Sequence, residues 1–265
     1  MTMLKTGVVF FFTLLFSTTA YATHPLITDD TGTQGKEKVQ IEINSNFSRE
    51  KEQKNGLSFQ KTGSITDAAL SYGVSDNIDL VVGMPLQWYT IKEEGMNSVN
   101  ENGIGDMRVE LKWRLFDSEE SGMSLALKPG LSIPTGSEMK GLGSGSFSGG
   151  VTMIATRKSR LGAQHCNLGY SSNRYGHEKN NQTARTNIWH ASLSAELNVI
   201  TNFRAVSDIG IETNTDKGSA SHPLFLLGGV IYTVSENLDL DLGVKGDLNE
   251  SKNDINLLVG VAARF

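Results

Sequence analysis

Apolar side chains recur in this chain at every second position, the period of a strand with one apolar and one polar face. Residues 107–115 show it best: Met107, Val109, Leu111, Trp113 and Leu115 alternate with Arg108, Glu110, Lys112 and Arg114, and Asp106 precedes them on the charged face. The same alternation appears in Val39–Phe47, Ala68–Val74, Ile78–Trp88, Met123–Ile133, Cys166–Tyr170, Trp189–Val199, Phe203–Ile211, Leu224–Tyr232, Leu238–Val244 and Ile255–Phe265. A Gly-rich stretch near 146–157 fits a further strand but leaves its register open. Twelve segments result, and an even count fits a single-chain bacterial barrel.

Connections separate a barrel from a two-sheet sandwich, which would also alternate. Segments are joined in turn by a few residues (75–77, 117–121, 158–162, 200–202, 235–237) and by longer polar stretches such as 89–103 and 171–185. Short and long links alternating along a meander predict an antiparallel up-and-down transmembrane β-barrel, with short periplasmic turns and longer extracellular loops. A Greek key would distribute its long crossings differently. The stretches YGVSDNIDLVVG (72–83) and YTVSENLDLDLG (232–243) echo one another as good hairpins, since Ser, Asp and Asn bond tight-turn backbone locally. Aromatic positions agree with two interfacial girdles. Tyr72, Trp113, Phe203, Tyr232 and Phe265 fall near the turn end, and Phe47, Trp88 and Tyr170 near the loop end with Trp189 below them.

The first 22 residues carry Lys5, an apolar run from Gly7 to Phe16 and Ala20-Tyr21-Ala22, the pattern of a secretory signal peptide cleaved after Ala22. Residues 23–38 then form a periplasmic lead or a small plug, with His24, Asp29, Asp30 and two glycines, and residues 39–265 form the barrel. Elsewhere no run reaches the ~18 apolar residues of a membrane helix. A single cysteine, Cys166, excludes a disulfide scaffold. A net charge of −5 gives no nucleic-acid signal.

The inward face of the predicted barrel is charged. Its candidate pore-lining residues are Glu42, Asp79, Arg108, Glu110, Lys112, Arg114, Lys128, Glu196, Arg204, Asp208, Glu212, Asp239, Asp241, Lys245 and Arg264. Eight strands close on side chains alone and sixteen leave an aqueous channel, so twelve admit either a narrow or gated channel or a filled barrel whose mixed charges neutralise one another. His190 and Ser192 share one face, but they look inward without the base and orienter a nucleophile needs, so lumen packing is the better account. Asp247, Asn249, Glu250 and Asp254 lack the central glycine of a calcium loop. No catalytic, metal or cofactor site is expected.

The stretches HPLITDDTGTQGKEKVQIEIN (24–44), GIGDMRVELKWR (103–114), LALKPGLSIPTG (125–136) and HPLFLLGGVIYTVSENLDLDLGVKG (222–246), with the terminal Phe265, resemble the bacterial family labelled putative MetA-pathway of phenol degradation. That resemblance implies an outer-membrane barrel of transporter type, and the family label implies aromatic catabolism. It brings no catalytic motif. The combined reading is an outer-membrane channel for small solutes, with hydrophobic or aromatic compounds as candidates, or else a structural or surface-interaction barrel with a filled lumen. Expected partners are outer-membrane lipid and lipopolysaccharide, the barrel assembly machinery and a small-molecule solute, with no nucleic acid. Phe265 resembles the C-terminal aromatic assembly signal of such proteins and is expected to close the barrel against the first strand.

Overall fold

The computed structural model describes residues 24–54, 57–94, 96–249 and 253–265; the signal peptide expected at 1–22 lies outside them. Thirteen strands, β1 (Val39–Lys54), β2 (Leu57–Ser75), β3 (Ile78–Glu93), β4 (Met96–Ile104), β5 (Met107–Ser118), β6 (Met123–Ile133), β7 (Ser148–Ser159), β8 (Gly162–Ser172), β9 (Asn187–Ile200), β10 (Phe203–Glu212), β11 (Leu224–Ser235), β12 (Leu238–Asp247) and β13 (Asn253–Arg264), occur among the described residues. Each pairs antiparallel with its chain neighbours, except that β4 pairs with β3 alone and β5 returns to β3, and β13 pairs with β1, so the sheet closes. Closure leaves the wall itself without a free edge, which is how a long apolar strand such as β13 avoids pairing with another molecule.

Twelve staves make the barrel because β4 and β5 share one place. The lower half of β3 pairs with β5 (Ile78↔Trp113 to Gly83↔Arg108), and its upper half pairs with β4 (Leu86↔Ile104 to Glu93↔Met96). Residues 89–103, expected as a loop, are therefore a hairpin arm that prolongs the sheet. Residues 48–66 behave in the same way, since β1 and β2 stay paired out to Lys54↔Leu57. Beyond the membrane both faces of a strand meet water, so apolar alternation disappears although the β-ladder does not. The short turns at 76–77, 119–122, 160–161, 201–202 and 236–237 agree with the expected hairpins. A six-residue helix, Glu178–Thr183, interrupts the loop between β8 and β9.

The barrel is polar within and apolar without. Ile41, Ile43, Leu70, Leu80, Leu111, Leu125, Leu193, Leu240, Leu242 and Val259 are exposed, whereas Asp79, Asp208, Asp239, Thr156 and Asn167 are buried. Water would reverse that distribution, because burying an unpaired carboxylate costs several kcal/mol while exposing a leucine forfeits about 1.5–3. A hydrocarbon surround makes it stable. The open register of β7 resolves with Val151 and Met153 outward and Ile154 and Thr156 buried inside. Aromatic rings mark the outer rims: Tyr170 stacks obliquely on Trp189, its cross-strand partner, with centroids 4.6 Å apart. At the turn end Phe203 faces Tyr232 across β10 and β11.

Two irregularities shape the wall near β5. Asp106, expected on the charged face of the strand, precedes it instead, and its carboxylate accepts from Gly136 N, Ser144 N and Ser144 Oγ at 2.7–3.0 Å. It organises the 134–147 loop. Pairing of β5 with β6 also skips two positions between Glu110↔Gly130 and Trp113↔Leu127, beside Pro129, which has no N–H to give.

Candidate functional site

Residues 24–35 run through the barrel interior, and residues 36–38, exposed at the turn end, lead into β1. Pro25, Thr28 and Thr31 are fully buried and Leu26 nearly so, while Ile27 stays half exposed. Such a segment can be buried only if its backbone polar groups find partners, and the inward side chains supply most of them. At one wall Asp208 accepts from Ile27 N, Thr28 N and Thr28 Oγ1 at 2.7–2.8 Å. His24 Nδ1 pairs with Asp241 on β12. At the facing wall Lys112 and Lys128 each reach a different oxygen of Asp29 at 2.8 Å. Lys112 also lies 3.6 Å from Asp30, and Lys128 lies 3.6 Å from Glu110. With its amide set to match, Asn167 accepts from Asp29 N and donates to Asp29 C=O.

Further along, Thr31 N donates to Thr156 Oγ1 at 3.1 Å and the Thr31 hydroxyl bonds Ser124. Gln34 N donates to Asp79 at 2.9 Å, and Thr33 and Lys36 bond Asp76 in the β2–β3 turn. The segment then hands over to β1. Burial alone would raise the Asp29 carboxyl, but the two ammonium groups beside it overcome that and hold it well below the usual carboxylate range. An ion pair of this kind persists because both charges are paired and hydrogen-bonded.

Apolar packing adds to the charges. Leu26 enters a pocket of inward residues from three strands: Val206 of β10, Leu227 and Ile231 of β11 and Leu258 of β13, with Phe225 alongside. Burial of such a leucine contributes about 1.5–3 kcal/mol. Glycines make the space for its neighbour Pro25. A side-chain carbon on Gly229 would fall 2.7 Å from Pro25 Cγ, and one on Gly243 would fall 2.8 Å from Pro25 Cβ. Valine at Gly243 is therefore expected to unseat residues 24–28 while the barrel still assembles. Trypsin or proteinase K digestion of the folded barrel, read at the N-terminal segment, checks this: protection equal to the parent's would contradict the packing.

The sequence-derived lumen residues fall into three groups. Asp79, Lys112, Lys128, Asp208 and Asp241 hold the N-terminal segment, with Glu42 and Glu110 beside them. Glu196, Arg204, Asp239 and Arg264 form one chain of pairs near the turn end: Arg204 reaches both Glu196 and Asp239, and Arg264 reaches Asp239 at 2.8 Å and Gln40 at 3.0 Å. His165, which the alternation did not single out, joins them through Glu196 at 3.1 Å and Thr156 at 2.9 Å. Arg108, Arg114, Glu212 and Lys245 stand towards the mouths, where Arg108 pairs with Asp67, Arg114 meets Asp76 O and Asp117, and Lys245 meets Asp247. His190 and Ser192 do face inward. Of the acidic positions weighed for calcium, Glu250 lies outside the described residues.

Several spaces adjoin the segment or its lysines: one of about 260 Å³ at the turn end is lined by Asp30, Gly32, His165, Glu196 and Arg204. A cavity of about 280 Å³ on the loop side is lined by Arg108, Glu110, Lys128, Thr152, His190 and Glu212, with Gly130 and Gly150 in its wall. A third of about 90 Å³ adjoins Asp29, Lys112, Gln40 and Asp79.

An inside-out, closed antiparallel sheet with a charged interior defines an outer-membrane β-barrel. The chain belongs to the family described as putative MetA-pathway of phenol degradation, whose model matches residues 24–265. Similar solved structures are barrels as well. An outer membrane channel from Pseudomonas putida F1 superposes with a TM-score of 0.66 at 11% identity, covering 89% of this chain and 98% of that one. The NanC porin gives 0.56 at 9% identity, covering 84% and 98%. The translocator domain of autotransporter NalP from Neisseria meningitidis gives 0.53 at 11% identity, covering 91% of each. Among curated proteins none matches the chain in sequence. At these identities the likeness establishes the fold.

Proposed function

We propose that the protein is an outer-membrane channel for small solutes whose lumen is closed at rest by residues 24–38 acting as a plug. The observation that carries this is the seating of that segment: it is held on Asp208 and Asp241 at one wall and on Lys112 and Lys128 at the other. Polar contacts to two walls span the lumen, yet each is an ion pair or hydrogen bond that water or a charged solute can replace. A lumen filled for rigidity alone would close on side chains from the strands themselves, whereas here a separate segment supplies the filling. The competing reading, a structural or surface-interaction barrel without transport, keeps the same contacts permanent.

Linking the segment to the wall tests the two. Thr31 and Ser124 already touch, so Thr31→Cys with Ser124→Cys, in a Cys166→Ala background, forms a reducible tether. Stepwise conductance in planar bilayers is expected to be low when the tether is oxidised and to rise several-fold on reduction. Equal conductance in the two states overturns the plug, and no conductance steps in either state favour the filled barrel. On the same reading the chain sits among outer-membrane lipid and lipopolysaccharide. Phe265 serves the assembly machinery as a signal, a role supported by its exposed ring and by its paired backbone bonds to Val39 at 2.8 and 3.1 Å.

A further inference from the structure

Resting on the plug reading, the geometry points to Lys112 and Lys128 as a binding site for small apolar carboxylates, occupied at rest by the chain's own Asp29. Two ammonium groups bring one donor to each oxygen of a single carboxylate, both at 2.8 Å. That is the arrangement a free carboxylate would meet, and charge-assisted bonds of this kind are the strong ones. Both lysines are largely buried, with side chains 11% and 20% exposed, so an arriving anion exchanges with Asp29 instead of with bulk water.

The approach is open from one side. Lys128 also lines the loop-side cavity of about 280 Å³, together with Arg108, which stands towards the mouth. A solute entering there passes Arg108, paired with Asp67, and the carboxylates of Glu212 and Glu110 before it reaches Lys128. Leu131, Val151, Tyr170 and Ile188 give the lining of that cavity its apolar part. The volume lies near the lower end of the roughly 300–1,000 Å³ of pockets that hold drug-sized ligands, so a solute with a single ring or a short alkyl chain fits it.

The apolar part follows from what the segment itself presents. Leu26 fills the pocket of Val206, Leu227, Ile231 and Leu258, three residues before Asp29, hence within about 10 Å even if fully extended. The plug thus places an apolar group and a carboxylate on two sites a short distance apart. A solute carrying both features displaces the Asp29 carboxylate at the lysines with its apolar part in the adjoining cavity. The loss of that anchor leaves Leu26 and the Asp208 wall to hold the segment, so that the solute admitted is also the one that loosens the plug.

Phenylacetate is the probe, with phenylacetamide as its neutral isostere and inorganic phosphate as a bare anion. Binding to the detergent-folded full chain is read by equilibrium dialysis, and release of residues 24–38 by hydrogen exchange. Phenylacetate is expected to raise exchange in that segment, while phenylacetamide and phosphate at the same concentration do not. Asp29→Asn removes the resident carboxylate and is expected to tighten phenylacetate binding at least tenfold, whereas Lys128→Gln weakens it at least tenfold. Heat-modifiable migration confirms that each variant is folded. Equal binding of phenylacetamide, equal binding of phosphate, or no tightening in Asp29→Asn would each overturn the site. If phenylacetate binds and releases the segment but the reduced tether variant never conducts, the channel reading fails and the site stands. If that variant conducts and phenylacetate does not bind, the reverse holds.

Discussion

Lysine at Leu111 is expected to cost the barrel about 2–4 kcal/mol, the penalty for a cation on the lipid face near the bilayer midplane, while lysine at Gly130 costs far less. Leu111 points outward from β5 opposite Leu80, and both are exposed to whatever surrounds the barrel. Hydrocarbon offers an ammonium group no partner, and from mid-strand its stem reaches neither interface well. Gly130 lies one strand away on the inward face, opposite Glu110. A side chain there would first meet Glu110 Cγ at 3.0 Å, a flexible neighbour that can shift and pair with the new charge. Urea unfolding of the two variants in lipid vesicles, followed by heat-modifiable migration, measures the difference. Equal losses would mean that the exterior is not a lipid surface.

Asp29→Asn is expected to loosen residues 24–38 by about 1.5–3 kcal/mol, the range for losing hydrogen bonds to a charged group. The loss stays below that of a fully uncompensated buried charge because Asp30 and Glu110, each 3.6 Å away, still face Lys112 and Lys128. Native-state hydrogen exchange of the segment gives this number directly, and protection unchanged from the parent would refute it. The pH dependence has a definite sign. The Asp29 carboxyl is depressed in the folded state, so its contribution is complete above the ordinary aspartate value of about 3.9 and is lost as pH falls towards the depressed one. Acidification to about pH 5 therefore leaves this anchor intact, and the Asn variant should show the weaker seating already at neutral pH.

Legibility along the chain followed the period of two. Segments with lipid on one face, such as Met107–Leu115 or Leu238–Val244, are visible in the sequence because one face has to be apolar throughout, whereas Gly149 and Gly150 hide the register of β7. Where both faces meet water the signal vanished, which is why residues 89–103 were expected as a loop and form a hairpin arm. The apolar pocket for Leu26 left a different trace. In Leu224–Tyr232 both faces are largely apolar, and Leu227 and Ile231 point into a lumen that carries most of the barrel's charges. A strand apolar on both faces has something to bury on each, and here the inner partner is the segment that precedes β1.

By itself the sequence determined the inside-out character of the protein and the twelve staves of its wall, though not the added strand β4, because alternation is a local property imposed by the solvent on each side. Which inward charge meets which was decided only by the tertiary structure. Asp29 precedes Lys112 by 83 residues and Lys128 by 99, and Thr28 precedes Asp208 by 180. Nothing in the local pattern encodes such distances. They follow from closure of the sheet, which brings β5, β6, β10 and β12 around one lumen with the charges of the segment between them, while the segment's backbone finds partners on β3, β7, β8 and β10 and on its own Asp29 and Asp30.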